Sequence, residues 1–148
     1  MSNKKTSVIF VCTHNSARSQ MAESLLRTKA GNCFDAYSAG TDPGEVHPYA
    51  VEVMNEIGLS LETHHAKSVA EFINKKIDVI VTVCDNAQES CPRINATLVI
   101  HKGFNDPTSH TGGKNEKIQY FREVRDEISQ WLDSEFASLC KLNKQGEN

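Results

Sequence analysis

No apolar run in this chain approaches the roughly 20 residues that a membrane span needs. The first seven residues, MSNKKTS, lack the apolar core of a signal peptide and run straight into a strand-like segment. The expected compartment is therefore the cytoplasm, which is reducing. Basic residues are not in excess: 16 Lys and Arg face 19 Asp and Glu, a formal net charge of -3. That balance excludes a broad electrostatic surface for nucleic acid or anionic membrane, so any anion site must be local. Repeats, low-complexity stretches and linkers are absent too, and 148 residues read as one domain, 1–148, able to bury a sizeable core.

Five cysteines are present, at 12, 33, 84, 91 and 140. In a reducing compartment they are not expected to form a structural disulfide framework, and catalysis, redox chemistry or metal binding is the more informative reading. Cys84 and Cys91 make half of a zinc site at most. No C-x2-C pair or suitably spaced cysteine–histidine set completes it, so no metal is expected. His64, His65 and His101 read as ordinary loop or strand-end residues. Cys33 and Cys140 read as inert packing residues, Cys33 in a strand and Cys140 beyond the apolar face of the last helix.

What is present alternates between two periods. SVIFVC (7–12) is rich in β-branched and aromatic residues, as a buried strand is. From Ser19 to about Lys29, Met21, Leu25 and Leu26 recur at helical spacing, and Gly31 supplies a stop. CFDAYSAG (33–40) reads as a second strand, and 47–58 as a helix with proline in its first turn and Gly58 at its end. A short helix is expected over 68–75, a central strand over 77–83 and another strand over 97–102. A long helix is expected from about Asn115 to Leu139. Its apolar face is Ile118, Phe121, Val124, Ile128, Leu132, Phe136 and Leu139, and the tail beyond it is expected to fray. This alternation predicts an α/β fold with a parallel sheet covered on both faces. Ligands of such sheets sit at the carboxyl ends of the strands, and Cys12 and Cys84 each fall at or just past such an end.

The segment after Cys12 carries the chemistry. Thr13, His14, Asn15, Ser16 and Ala17 separate Cys12 from Arg18, and Ser19 then opens a helix. A strand–loop–helix turn of this length points backbone N–H groups inward with a helix N-terminus behind them, which makes an anion cradle. The Arg18 guanidinium adds a planar fork for two oxygens of a tetrahedral oxyanion. The same positive environment acts on the thiol. A cysteine of pKa about 8.5 is only a few per cent thiolate at neutral pH, whereas lowering it to about 6 makes it roughly 90% thiolate. Ser19 can donate a further hydrogen bond to the sulfur, while His14 either tunes the thiol or faces solvent.

CTHNSARSQMAE resembles the phosphate-binding loop of the low-molecular-weight protein tyrosine phosphatase fold, and specifically its thioredoxin-coupled arsenate reductase branch. The resemblance runs from Val8 to about Leu132. It implies a four-stranded parallel sheet of order 2-1-3-4 with flanking helices. In GFNDP it implies a general acid, Asp106, followed by Pro107. It also implies roles for the thiols of VTVCDNAQESCPRI. Cys84 attacks Cys12 of an arseno adduct and releases arsenite; Cys91 then attacks Cys84, and the Cys84–Cys91 disulfide passes to thioredoxin as external reductant. No bound cofactor is implied. Phosphate or sulfate would compete with arsenate, and the small size and fold favour a monomer.

A disulfide requires Cα atoms within about 7 Å, whereas seven helical steps span about 10.5 Å. The 84–91 segment, if helical when reduced, must therefore loop or unwind on oxidation. The sequence also departs from the pattern at some positions. Ala17 stands where some reductases of this type have a cysteine. Asn15, Glu23 and Ser38 match members that hold a monovalent cation, but Ser68 replaces the acidic partner, so no potassium site is expected. Thr108 replaces the aromatic residue that often follows Asp-Pro in the phosphatases, which disfavours a phosphotyrosine protein as substrate. A phosphatase using Cys12, Arg18 and Asp106 is the alternative enzyme. A non-catalytic redox or oxyanion sensor is a third reading, against which the full set of Cys12, Arg18, Ser19 and Asp106 argues, because a sensor needs no general acid.

Overall fold

The computed structural model describes residues 5–84 and 96–140. Four strands form one parallel sheet in the order β2-β1-β3-β4: β1 Thr6–Cys12, β2 Phe34–Gly40, β3 Ile77–Thr82 and β4 Ala96–His101. Among the described residues, three α-helices accompany them: α1 Arg18–Ala30, α2 Pro48–Asn55 and α3 Lys114–Leu132. The central strands are the apolar runs that the sequence marks. Val8 to Val11 on β1 are wholly buried, as a parallel strand covered on both sides should be.

Side-chain alternation on β2 shows which element lies where. Ser38 reaches Glu23 of α1, and Phe34 stacks edge-on against Phe136 beyond α3, so α1 and the end of α3 share one face. Tyr37 points the other way, toward Phe72 on a single 3-10 turn, Val69–Phe72. That turn replaces the longer helix expected over 68–75. Ser68 and Glu71 close a capping box around it, and Lys75 N–H bonds back to Phe72, so the chain turns before a second helical turn can form. The connection from β3 to β4, residues 85–95, lies outside the described residues. So do Cys91 and the expected rearrangement of the 84–91 segment, apart from Cys84 itself. β4 is an edge strand, and its Leu98 and Val99 remain 51% and 66% exposed.

The last helix departs from its expected pattern. Ile118, Phe121, Val124, Ile128, Leu132 and Phe136 are buried as the periodicity requires, yet Leu139 is half exposed and Cys140 is buried instead. A π-helical turn at Asp133–Ala137 is the reason. Its wider turn holds the buried face at steps of four, from Leu132 to Phe136 to Cys140, where an undistorted α-helix would return to a step of three at Leu139.

That step also corrects the reading of two cysteines. Cys33, just before β2, and Cys140 are joined in a disulfide, with Cα atoms 5.9 Å apart and 107 residues between them in sequence. They are neither free nor merely packed. The helix packs beside α1 on one face of the sheet, and its final turns reach the start of β2, which brings together two thiols that nothing local in the sequence connects. No helix among the described residues is long and apolar enough to cross a membrane.

Candidate active site

β1 ends at Cys12 and α1 begins at Arg18, so Thr13–Ala17 form the tight loop between them. Its carbonyls are tied outward to the chain that follows β2. The N–H groups of Thr41, Asp42, Gly44 and His47 bond to the oxygens of Cys12, Thr13, His14 and Ser16 at 3.2, 2.8, 2.9 and 3.0 Å. Across a trans peptide, C=O and the next N–H point in opposite directions. Tethering these carbonyls outward thus turns the following amides toward the loop interior, where an anion would sit. Asn15 adopts the left-handed conformation that closes the turn (φ 52°), which asparagine tolerates better than most residues. Gly40 lies directly beneath. A Cβ there would come within 3.0 Å of the backbone of Thr13, His14 and Asn15.

Behind the loop, α1 has Ala17 as its N-cap, with no side-chain cap and no acidic residue in its first turn. Its unsatisfied N–H groups and dipole therefore face the cradle. Cys12 is buried, and its Sγ lies 2.9 Å from Ser19 Oγ, which receives a 2.8 Å hydrogen bond from Asn15 Nδ2. With that donor occupying the hydroxyl oxygen, the Ser19 proton is free to point at the sulfur. Arg18 extends over the pocket, anchored by a 3.0 Å hydrogen bond from Nη1 to Phe104 O, with Nη2 3.7 Å from Asp106 Oδ2. Cys12, His14, Ser16, Ala17, Arg18, Asp106 and Thr108 enclose about 60 Å³, a volume suited to a small tetrahedral oxyanion.

Among the described residues Cys12 and Cys84 are the free cysteines, and both are buried. Parallel pairing of β1 and β3 brings their carboxyl ends side by side, and Thr13 Oγ1 lies 3.4 Å from Cys84 Sγ. The second thiol thus abuts the loop that holds the first. His14 is exposed at the rim, its Nδ1 2.9 Å from Asp42 O. Partial burial works to raise the Asp106 pKa. Two hydrogen bonds from Thr108, with the charges of Arg18 and His14, outweigh that and bring it below its ordinary value. His47, which also senses Asp106, has its pKa lowered by burial.

Beneath the loop is a second polar layer. Gln20 Nε2 donates to Asn15 O, Asn15 Oδ1 and His65 O, while its Oε1 lies 2.8 Å from His64 Nδ1. Glu23 accepts from Ser38 Oγ at 2.7 Å and from Arg27 at 2.8 Å. Lys67 Nζ and His64 Nδ1 lie within 3.8 Å of it. The Glu23 carboxylate thus faces the cations of Arg27 and Lys67. Burial lowers the His64 pKa despite the pull of Glu23, with Arg27 and Lys67 adding to the shift.

Residues 7–146 match the family described as low molecular weight phosphotyrosine protein phosphatase. The chain belongs to that family. Among its relatives, an arsenate reductase of Halalkalibacterium halodurans is 40% identical over 140 residues, covering 94% of this chain and 99% of that protein. An arsenate reductase of Bacillus subtilis is 37% identical over 135 residues, covering 90% and 96%. Of the solved structures, an arsenate reductase in its oxidized state superposes with a TM-score of 0.74 at 25% identity, over 91% of this chain and 98% of that one. A low molecular weight protein tyrosine phosphatase from T. tengcongensis gives 0.72 at 26% identity, over 87% and 96%.

Within this phosphatase-family site, Cys12, Thr13, His14, Asn15, Ser16, Ala17, Arg18, Ser19, Cys84 and Asp106 converge at one end of the sheet. Sequence reasoning missed the support under them. Gln20 and His64 were unremarked as partners because 44 residues separate them and neither lies in a recognisable motif. One signal was available: a Gln two residues after Arg18, on the helix face that also carries buried Glu23 and Ser24.

Proposed function

We propose that this chain is an arsenate reductase built on the phosphatase fold. The observation that carries the reading is the pair of free, buried thiols, one inside the oxyanion cradle and the other against the same loop. An ester hydrolase has no use for the second. Supporting it, the relatives cited above that cover nearly the whole chain are arsenate reductases.

In the first step the Cys12 thiolate attacks the arsenic of doubly protonated arsenate. An S–As bond forms, an As–O bond breaks, and the two protons of the substrate leave with that oxygen as water. The loop amides and Arg18 hold the remaining oxygens. In the second step Cys84 attacks Cys12 Sγ. An S–S bond forms, the S–As electron pair stays on arsenic, and As(V) departs as As(III) arsenite. Cys91 then displaces Cys12 from Cys84, and an external dithiol of the thioredoxin type reduces the Cys84–Cys91 disulfide. Each cycle thus consumes two electrons from that dithiol.

A second reading, hydrolysis of phosphate esters by Cys12, Arg18 and Asp106, is favoured by the family description and by Asp106 at the pocket mouth. The experiment follows NADPH consumption by thioredoxin reductase and thioredoxin with arsenate, for wild type and Cys91→Ser. Sustained turnover in wild type and at most one round in the variant is the expected result. If wild type is silent with thioredoxin, the assay is repeated with glutaredoxin and glutathione. Silence there too, with robust ester hydrolysis, makes the protein a phosphatase.

A further inference from the structure

The turn that carries Asp106 is built to keep it ionised. Asp106 Oδ1 accepts two hydrogen bonds, from Thr108 N–H at 2.9 Å and from Thr108 Oγ1 at 2.7 Å. Its other oxygen faces Arg18 Nη2 at 3.7 Å. Ser109 fixes the backbone beneath, its N–H and hydroxyl both donating to Asp106 O. Among the described residues, the groups in contact with the carboxyl are hydrogen-bond donors and a positive charge, and together they outweigh the partial burial that favours the protonated acid. The other titratable groups around the carboxyl, among the described residues, are His14 on the loop, His47 ahead of α2 and Cys12 at the pocket floor. Lys117 of α3 lines the adjoining groove with His47 and Thr108.

We propose that Thr108 is a specificity-determining residue, whose hydroxyl holds Asp106 as a proton acceptor and so selects free oxyacids over phosphate esters. This rests on the reading of Cys12 as the nucleophile toward a bound oxyanion. The selection follows from proton balance. A thiolate and a doubly protonated oxyacid condense to the S-bonded oxyanion and one water, with both protons of that water coming from the substrate. A thiolate and a phosphate ester dianion give the S-bonded phosphate and an alkoxide or aryloxide, which needs one proton from outside. Asp106 is the group placed to give it. Holding Asp106 ionised therefore slows the ester reaction while leaving the oxyacid its own protons. The backbone N–H of Thr108 would make the turn with any residue there except proline. The hydroxyl is the addition, and it separates a role in acidity from one in folding.

The test compares wild type, Thr108→Val, which keeps the N–H and loses the hydroxyl, and Thr108→Ser, which keeps both. The first readout is the 13C titration of the Asp106 carboxyl in the reduced full-length protein, assigned with Asp106→Asn. The midpoint should rise by about one pH unit in Thr108→Val and return in Thr108→Ser. The second is turnover of phenyl phosphate at pH 7, whose phenoxide (pKa about 10) needs that proton, read as released phosphate, alone and as a ratio to arsenate turnover. Both should rise roughly three- to tenfold in Thr108→Val, and Thr108→Ser should behave as wild type. An unmoved midpoint overturns the proposal. So does a moved midpoint without a gain in ester turnover, or a serine variant that fails to restore either. If wild type reduces no arsenate, the reductase reading fails, whereas the titration and the ester arm still decide this one.

Discussion

The two ends of the sheet handle sulfur in opposite ways. At the carboxyl end, Cys12 and Cys84 stand at the tips of adjacent strands as free thiols, each beside a hydroxyl: Ser19 Oγ at 2.9 Å and Thr13 Oγ1 at 3.4 Å. Toward the amino end, Cys33 and Cys140 are already joined, beside the edge-on rings of Phe34 and Phe136. Cys12 lies amid the loop amides, the Arg18 guanidinium and the α1 N-terminus, and Cys84 abuts the same loop through Thr13. Among the described residues, the second pair has a weak polar neighbour in Asn32 Oδ1, at 3.9 Å from Cys140 Sγ. The lesson is that a cysteine's chemistry is set by what its backbone position exposes it to. Strand ends beside a phosphate-type loop make nucleophiles, whereas a strand start facing a returning helix makes a crosslink.

The comparison can be broken most severely at Cys12. Cys12→Ser is expected to lower arsenate turnover by about 10³-fold or more while leaving the Cys33–Cys140 bond intact, checked by steady-state assay and thiol counting. Cys33→Ser should do the reverse. Opening a crosslink that spans 107 residues should cost about 2–5 kcal/mol in denaturant unfolding, with kcat close to wild type. A large loss of kcat in that variant would mean the two ends are coupled.

Smaller effects sharpen the polar side of the contrast. Ser19→Ala removes a hydrogen bond to the sulfur worth about 1.5–3 kcal/mol when the acceptor is charged. The iodoacetamide alkylation rate at Cys12 and kcat/KM should each fall by roughly 10- to 100-fold, and the Cys33–Cys140 end should be unaffected. Equal alkylation rates would remove Ser19 from the argument. The least effect concerns pH. His64 is held neutral by burial, its folded pKa lying below the unfolded value of 6.5. The folded state therefore resists protonation, and the stability it has above pH 6.5 is lost as pH falls through that value toward the folded pKa. Thermal unfolding between pH 7.5 and 5.5 should show a declining Tm that His64→Gln flattens. Asp106 contributes in the same sense at lower pH. Its depressed pKa adds stability above about 3.8, lost as pH falls below that value toward the folded pKa.

Much of this was legible in the chain itself. Seven strand- or helix-patterned segments fell within a few residues of their observed places, because apolar runs and periodicity are local properties of the chain. The anion loop was legible for the same reason. Cys12 to Ser19 is a single continuous turn, and its carbonyl tethers come from the next connection, 41–47. The acidity of Asp106 was half legible, since Thr108 is two residues away but the Arg18 contact spans 88.

What the sequence by itself determined, then, was the strand–helix alternation, the parallel order of the sheet through its family pattern, and the nucleophile with its cradle. The tertiary structure alone decided three things. It joined Cys33 to Cys140 by turning the last helix through a π step, so that Cys140 rather than Leu139 faces inward. It placed Gln20, His64 and Lys67 under the loop, and it set Cys84 against Thr13 across neighbouring strands. In each case the partners are distant in sequence. Their contact depends on how elements pack after each has formed, and no local preference of either residue carries that information.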